Sequence, residues 1–325
     1  MSQIFDALQR SEAERAGNPL ETPLEPNDML RRAERQIATK WESKSVLDGA
    51  ESVAVEEVNG DRPRPIFNAP PLGSSAAGAT NSSKNDDRLR ILGQFQTLQL
   101  SLAPESRLVA LTEQDSPAAE AFRLLGVRLR DLSRTRPLKK VLITSTIPQE
   151  GKTTVAANLA FTLARSTQQK ILLLEGDVRR PALSQMFGLQ GNPGICEWLR
   201  GDHKLTGCVY YLEGPGIWIM PAGSSPQNPL EVLQSVKLNA LMAQLADWFD
   251  CIVIDSPPVL PLADTSVWMR LADGVLLVTR QGITEKQQLQ DGLLALDSKK
   301  LLGALVNGSK ASDYSRYYYQ SSPVR

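Results

Sequence analysis

Residues 145–154 and the acids at 175, 177 and 255 are of the types that could bind a nucleotide and move a phosphoryl group. The segment Ser145-Thr146-Ile147-Pro148-Gln149-Glu150-Gly151-Lys152-Thr153-Thr154 follows an apolar run, VLITS at 141–145, and opens a helix-forming run at 151–166. It fits the phosphate-loop pattern GxxxxGK[ST] except at the first glycine, where Thr146 stands. A bend between a strand and a helix turns backbone N–H groups toward an anion at the helix N-terminus. The expected nucleotide contacts are therefore Thr146, Pro148, Gln149, Glu150, Gly151, Lys152, Thr153 and Thr154. In this reading Gly151 leaves room for phosphate, Lys152 reaches the β- and γ-phosphates, and the Thr153 hydroxyl binds Mg²⁺. ATP and Mg²⁺ are the cofactors these residues imply.

Magnesium needs hard oxygen ligands and keeps several waters. Acids are therefore expected at the carboxyl ends of other apolar strands, where parallel sheets bind ligands. Asp255 follows CIVI, and Glu175 and Asp177 follow ILLL. Any one of them alone is more simply a helix cap. Three acids at two strand ends beside a phosphate loop favour metal binding and catalysis. Glu175, Asp177 and Asp255 are thus expected metal ligands with Thr153, and expected catalytic groups with Lys152.

Those positions require a particular scaffold. Apolar strands at 141–145, 171–177, 217–223, 251–257, 274–280 and 301–307 alternate with helical patterns at 151–166, 229–248, 262–271 and 284–298. Fully apolar strands between helices predict an α/β fold with a mostly parallel sheet covered on both faces. SPAAEAFRLLGVRLRDL at 116–132 predicts a helix entered through Ser116-Pro117, and RLVALT at 107–112 reads as an edge strand. The folded unit is expected over 104–308. Before it, residues 3–15 suit a short amphipathic helix that either docks on its own domain or meets a partner. Residues 16–90 include GSSAAGATNSSKND, which holds too few large apolar groups to offset ordering entropy. Residues 1–103 are therefore read as a helix and a mildly acidic, unstructured tether.

Composition narrows the function. Lys+Arg and Asp+Glu are both 36 of 325 residues, so no basic excess points to nucleic acid. The single histidine, His203, excludes a His-based triad, and Cys196, Cys208 and Cys251 have no metal-like spacing. No apolar run approaches the roughly 20 residues needed to span a bilayer, and no secretory leader pattern opens the chain. A cytoplasmic location is expected, with any membrane role passing through a partner. The last 12 residues hold four of the six tyrosines, Tyr314, Tyr317, Tyr318 and Tyr319, among serines and polar residues. No core-forming pattern surrounds them, so residues 309–325 read as an exposed tail suited to accepting phosphate. Successive phosphates there would repel one another and loosen an assembly.

Together STIPQEGKTT, LLLEGDVRRP, CIVIDSPPV and the tyrosine tail resemble the bacterial tyrosine kinases that accompany capsular and exopolysaccharide synthesis. The resemblance covers about 104–320 and implies a P-loop kinase that phosphorylates tyrosines in its own tail and in neighbouring subunits. It maps the family's nucleotide motifs onto Lys152 and Thr153, onto Glu175 and Asp177, and onto Asp255. The middle motif usually holds two aspartates, and Glu175 replaces the first. It also implies a subunit-contact helix with a Glu-x-x-Arg-x-x-Arg motif. Glu120 and Arg123 match, whereas Gly126 takes the second arginine's place, with Arg128 and Arg130 nearby. A homo-oligomer phosphorylating in trans, activated by a separate membrane polysaccharide co-polymerase, is the implied assembly. The alternative is a non-catalytic or ATPase-type regulator like the partition and septum-site ATPases. Against it, Ile147 occupies the position of their second lysine, and they have no tyrosine tail.

Overall fold

The computed structural model describes residues 86–100, 107–167, 169–260 and 263–309. The expected helix at 3–15, most of the tether, and Tyr314, Tyr317, Tyr318 and Tyr319 lie outside the described residues.

The strands are β1 (Gln96–Leu98), β2 (Lys140–Ser145), β3 (Ile171–Glu175), β4 (Tyr210–Leu212), β5 (Ile217–Met220), β6 (Cys251–Asp255), β7 (Gly274–Arg280) and β8 (Leu301–Asn307). The helices are α1 (Val109–Thr112), α2 (Pro117–Thr135), α3 (Lys152–Thr167), α4 (Ala182–Met186), α5 (Ile195–Arg200), α6 (Pro229–Leu233), α7 (Val236–Trp248), α8 (Asp264–Leu271) and α9 (Lys286–Leu294). One sheet runs β1-β4-β5-β3-β6-β2-β7-β8. Strands β5, β3, β6, β2, β7 and β8 are mutually parallel, and β4 joins β5 antiparallel.

Side-chain alternation sends successive strand residues to opposite faces, and both faces are apolar. Leu142, Leu172, Leu174, Ile252, Ile254 and Leu277 pack with Leu241 and Leu245 of α7 and Trp268 of α8. Val141, Ile143, Leu173, Val253, Leu276 and Val278 pack with Val155, Leu159 and Phe161 of α3 and Leu129 of α2. Each such side chain contributes about 1.5–3 kcal/mol on full burial. A sheet sealed on both faces leaves the carboxyl ends of its strands as the open edge. There β2 lies between β6 and β7, so the loop after it meets the ends of both neighbours.

Two expectations change. Residues 107–112 hold the short helix α1, at Val109–Thr112, rather than an edge strand. The buried Asn158 side chain accepts from the Ala110 N–H at 2.9 Å and donates to the Arg107 carbonyl at 2.9 Å, which curls this segment onto α3. The sheet also reaches further back than residue 104. Strand β1 pairs parallel with β4, and residues 86–92 before it are helical. Helix α2 starts as its cap predicts, with the Ser116 hydroxyl accepting from the Ala119 N–H at 3.1 Å.

Candidate active site

The loop between β2 and α3 folds through two left-handed residues. Gln149 has φ 68° and Gly151 φ 92°, and Gln149 is the one non-glycine residue with positive φ among those described. Glycine at 151 answers a nearer neighbour than the phosphate expected from sequence: a Cβ there would collide with the Asn307 side-chain amide from the end of β8. That amide donates to the Glu150 carbonyl at 2.9 Å. Helix α3 then begins at Lys152, and its first-turn N–H groups have no intrahelical acceptor. The Thr146 and Glu150 side chains, expected at the nucleotide, turn inward instead. Thr146 is fully buried against Gly292 of α9, and Glu150 is fully buried as well. The loop is therefore placed to offer backbone rather than these side chains. A left-handed L-residue costs about 1–2 kcal/mol. Gln149→Gly should raise the urea midpoint, by about 1 kcal/mol in stability after glycine's own entropy cost. A fall in midpoint would mean that contacts of the Gln149 side chain outweigh that cost.

Lys152 lies between two acids. Its ammonium is 3.2 Å from Asp177 and 3.8 Å from Asp255. Burial works against the charged lysine, but Asp255 and Asp177 more than offset it, holding its pKa above the ordinary value. Asp255 is fully buried at the end of β6, and neither carboxylate oxygen has a hydrogen-bond partner among the described residues. Burial pushes its pKa up to about 6, although Lys152 and the adjacent Thr153 hydroxyl favour the charge. A buried carboxylate that accepts no hydrogen bond is costly, and the Lys152 ammonium 3.8 Å away offsets that cost only in part, since the pKa stays raised. Asp255 and Thr153 therefore fit a magnesium site, directly or through bound water. Among the described residues no three acidic, thiol or imidazole side chains form a ready-made metal cage. Magnesium does not require one, because it takes one or two carboxylates, waters and phosphate oxygens.

Asp177 remains beside Lys152, and its other oxygen accepts from the Arg180 N–H at 3.1 Å. It is positioned by residues that the sequence did not single out. Gly176 lies under Trp268, so closely that a Cβ would come 2.8 Å from the indole. The indole N–H donates to the Gly176 carbonyl at 2.9 Å. Arg179 grips buried Asp264 with a two-pronged ion pair, at 2.5 and 3.1 Å.

Glu175 departs from its expected metal and catalytic part. One oxygen accepts from the Leu183 and Ser184 N–H groups at 2.6 and 3.0 Å. The other accepts from the Ala222 N–H at 2.9 Å and from the Ser184 hydroxyl. Four donors fill the roughly four acceptor positions of a carboxylate. Glu175 thus ties the start of α4 to the segment after β5. Its pKa lies above the usual range because burial outweighs these bonds. Its longer side chain suits that reach.

The three cysteines are free and buried; burial pushes their thiols up to about 12, 11 and 12 for Cys196, Cys208 and Cys251, which leaves them unreactive. Glu120 and Arg123 lie together on the exposed face of α2, with Arg123 Nε 2.6 Å from Glu120 and Nη1 2.8 Å from the Gln114 carbonyl. Gly126 is buried where α2 packs on α3, and a Cβ there would make ordinary contact with Leu163 at 3.6 Å, leaving no room for a long side chain beyond it. An arginine at 126 would point into that contact.

A glycine-lysine-threonine loop after a central parallel strand, with its lysine held by acids from two neighbouring strands, defines a P-loop nucleotide-binding protein. Comparison with known proteins is specific. Residues 149–293 match the family model described as an AAA domain. Over 217 residues the chain is 34% identical to the tyrosine-protein kinase YwqD of Bacillus subtilis, covering 66% of this chain and 91% of that one. Over 251 residues it is 30% identical to the tyrosine-protein kinase ptk of Acinetobacter johnsonii, covering 74% of this chain and 34% of that longer protein. The kinase domain of the Escherichia coli tyrosine kinase ETK shares the fold, with a TM-score of 0.60 over 74% of this chain and 97% of that one at 24% identity. The chain belongs to the bacterial tyrosine kinase family.

Proposed function

We propose that this protein-tyrosine kinase moves the γ-phosphoryl group of Mg-ATP onto Tyr314, Tyr317, Tyr318 and Tyr319 of a second copy, in support of capsular or exopolysaccharide synthesis. The observation that carries the reading is the buried Asp255 carboxylate, which accepts no hydrogen bond among the described residues and lies 3.8 Å from Lys152 at the mouth of the phosphate loop. Two carboxylates and one lysine leave a net negative charge there, which suits a divalent cation.

In the reaction, a tyrosine oxygen forms a bond to the γ-phosphorus as the bond to the bridging oxygen breaks and ADP leaves. Magnesium, when bound, neutralises charge on the β- and γ-phosphates. Lys152 spreads the charge that develops on the transferring group, and the loop's backbone N–H groups hold the phosphates. Asp177 orients the acceptor hydroxyl and takes its proton. Catalysis of this kind is mostly positioning and electrostatics. Glu175 acts indirectly, by fixing the strand end from which Asp177 projects.

Two further features support self-association. Leu124 and Val127, exposed at 41% and 46%, continue the α2 face that carries Glu120 and Arg123. Strand β8 ends at the phosphate loop, and Tyr319 lies 12 residues beyond Asn307. At 3.3–3.6 Å per residue, that tether spans at most about 40 Å, roughly one subunit. Activation falls to a membrane polysaccharide co-polymerase on a separate chain. Among the described residues, no helix is long and apolar enough to cross a membrane.

The test mixes an inactive, tail-intact Lys152→Met chain with an active chain truncated after Lys310. Transfer in trans labels the inactive chain on tyrosine. If only a chain with both an intact loop and its own tail is labelled, transfer is in cis and the reading is wrong.

A further inference from the structure

Glu150 is a fully buried acid inside the phosphate loop, and its contacts lead to a residue 134 positions away. One Glu150 oxygen accepts from the Ile147 N–H at 2.8 Å, which draws the loop into a closed turn. The other accepts from the Thr284 hydroxyl. The Thr284 hydroxyl is engaged on a second side, because its oxygen also accepts from the Arg280 N–H at 2.9 Å. The Thr284 N–H in turn donates to the Arg280 carbonyl at 3.0 Å. The Arg280 guanidinium returns to the loop, donating to the Gln149 carbonyl at 3.1 Å. The turn after β7 is thus wound on itself and fastened to residues 149 and 150 from two sides.

We propose that Thr284 is a positioning residue for phosphoryl transfer, acting as the latch that holds Glu150, and through it the Ile147 N–H, in the conformation that receives nucleotide phosphates. Without the hydroxyl, a buried carboxylate oxygen faces an apolar group. It then turns toward water or toward another donor, and the loop opens with it. Breaking a hydrogen bond to a buried charge is among the costlier single deletions. Because Gln149 is left-handed and Glu150 follows directly, the loop has few other conformations that keep the Lys152 backbone at the head of α3. The effect therefore falls on the affinity for nucleotide. Thr284 touches no reacting atom, so the chemical step after binding changes less.

The inference rests on the reading that this loop binds nucleotide, and the experiment separates the two. Mg-ADP is titrated calorimetrically into the full chain and into Thr284→Val, Thr284→Ser and Lys152→Met variants, alongside ATP kinetics of autophosphorylation. Val keeps the shape of Thr and removes the hydroxyl; Ser keeps the hydroxyl. Thr284→Val should weaken Mg-ADP about tenfold or more and raise KM for ATP in step, with kcat within about threefold. Thr284→Ser should stay within about twofold on every measure. Thr284→Ala, for use if the valine variant does not fold, should weaken binding as valine does. Mg-ADP affinity within twofold of the parent for both Val and Ala overturns the latch, as does a serine variant weakened as much as valine. If no Mg-ADP binds to the parent chain, the nucleotide reading itself fails, and the latch fails with it.

Discussion

Lys152→Met should lower autophosphorylation by on the order of 10³-fold, the scale of losing one preorganised charge at a developing anion. The fold should survive, because the methionine stem fills the same space and the lysine's ion pairs, to Asp177 and Asp255, lie at the open edge of the sheet rather than within its apolar core. The electrostatic consequence is a second, independent readout. Lys152 favours the ionised form of Asp255. With the lysine gone, Asp255 moves further up from about 6. A carboxyl whose pKa is higher folded than unfolded destabilises the protein as pH rises, because the folded state must give up a proton it holds more tightly. The metal-free variant should therefore regain stability on acidification from pH 7.5 to 5.5 by more than the parent does. A chemical denaturation series across that range measures it. Retained labelling at the parent rate would remove Lys152 from the γ-phosphate, and an unchanged pH slope would separate it from Asp255.

Asp255→Asn should give the second large effect, in opposite directions for activity and stability. A neutral amide is a poor magnesium ligand, so Mg-dependent turnover should fall about 10²-fold. The metal-free protein should become more stable at pH 7.5, by about 1–2 kcal/mol, because a buried carboxylate that accepts no hydrogen bond has been removed, and its desolvation outweighs the attraction to Lys152. In the parent chain, the proton and the metal compete for the same carboxylate. Acidification through about pH 6 should raise the magnesium concentration needed for half-maximal rate, and the asparagine variant should lose that dependence. Unchanged magnesium dependence with full activity would place the metal elsewhere.

What the sequence discloses and what it withholds divide along a physical line. Strands buried on both faces are written as apolar runs, so VLITS, ILLL and CIVI mark themselves, and the polar residues that follow must lie at the sheet's open edge. That is why Lys152, Asp177 and Asp255 were legible as a set. The part of Glu175 was not, because an acid at a strand end looks the same whether its partner is a metal or the backbone of α4 and Ala222. Gly151 was legible as necessary but for another reason, since Asn307 lies 156 residues away. RLVALT has the composition of a strand, and the side chains of Asn158 and Arg165 on α3 hold it as a helix instead. The three-residue strands β1 and β4 are too short to show a period. Thr284 gives no local signal, because its significance lies in Glu150 and the β7 turn folding together.

The final strand has a kinetic consequence. Because β8 runs parallel to β2, its last residue, Asn307, touches the phosphate loop, and any chain that continues past it starts at the nucleotide's doorstep. Tyr314 is only seven residues further on. Tyrosines carried on so short a lead, whether offered to their own subunit or to an adjoining one, are presented at an effective concentration on the order of millimolar. A free tyrosine peptide at micromolar concentration competes poorly against them. Other tyrosine substrates should therefore be modified slowly while the tail is unphosphorylated and faster once its acceptors are filled, so that the tail sets the order in which substrates are served.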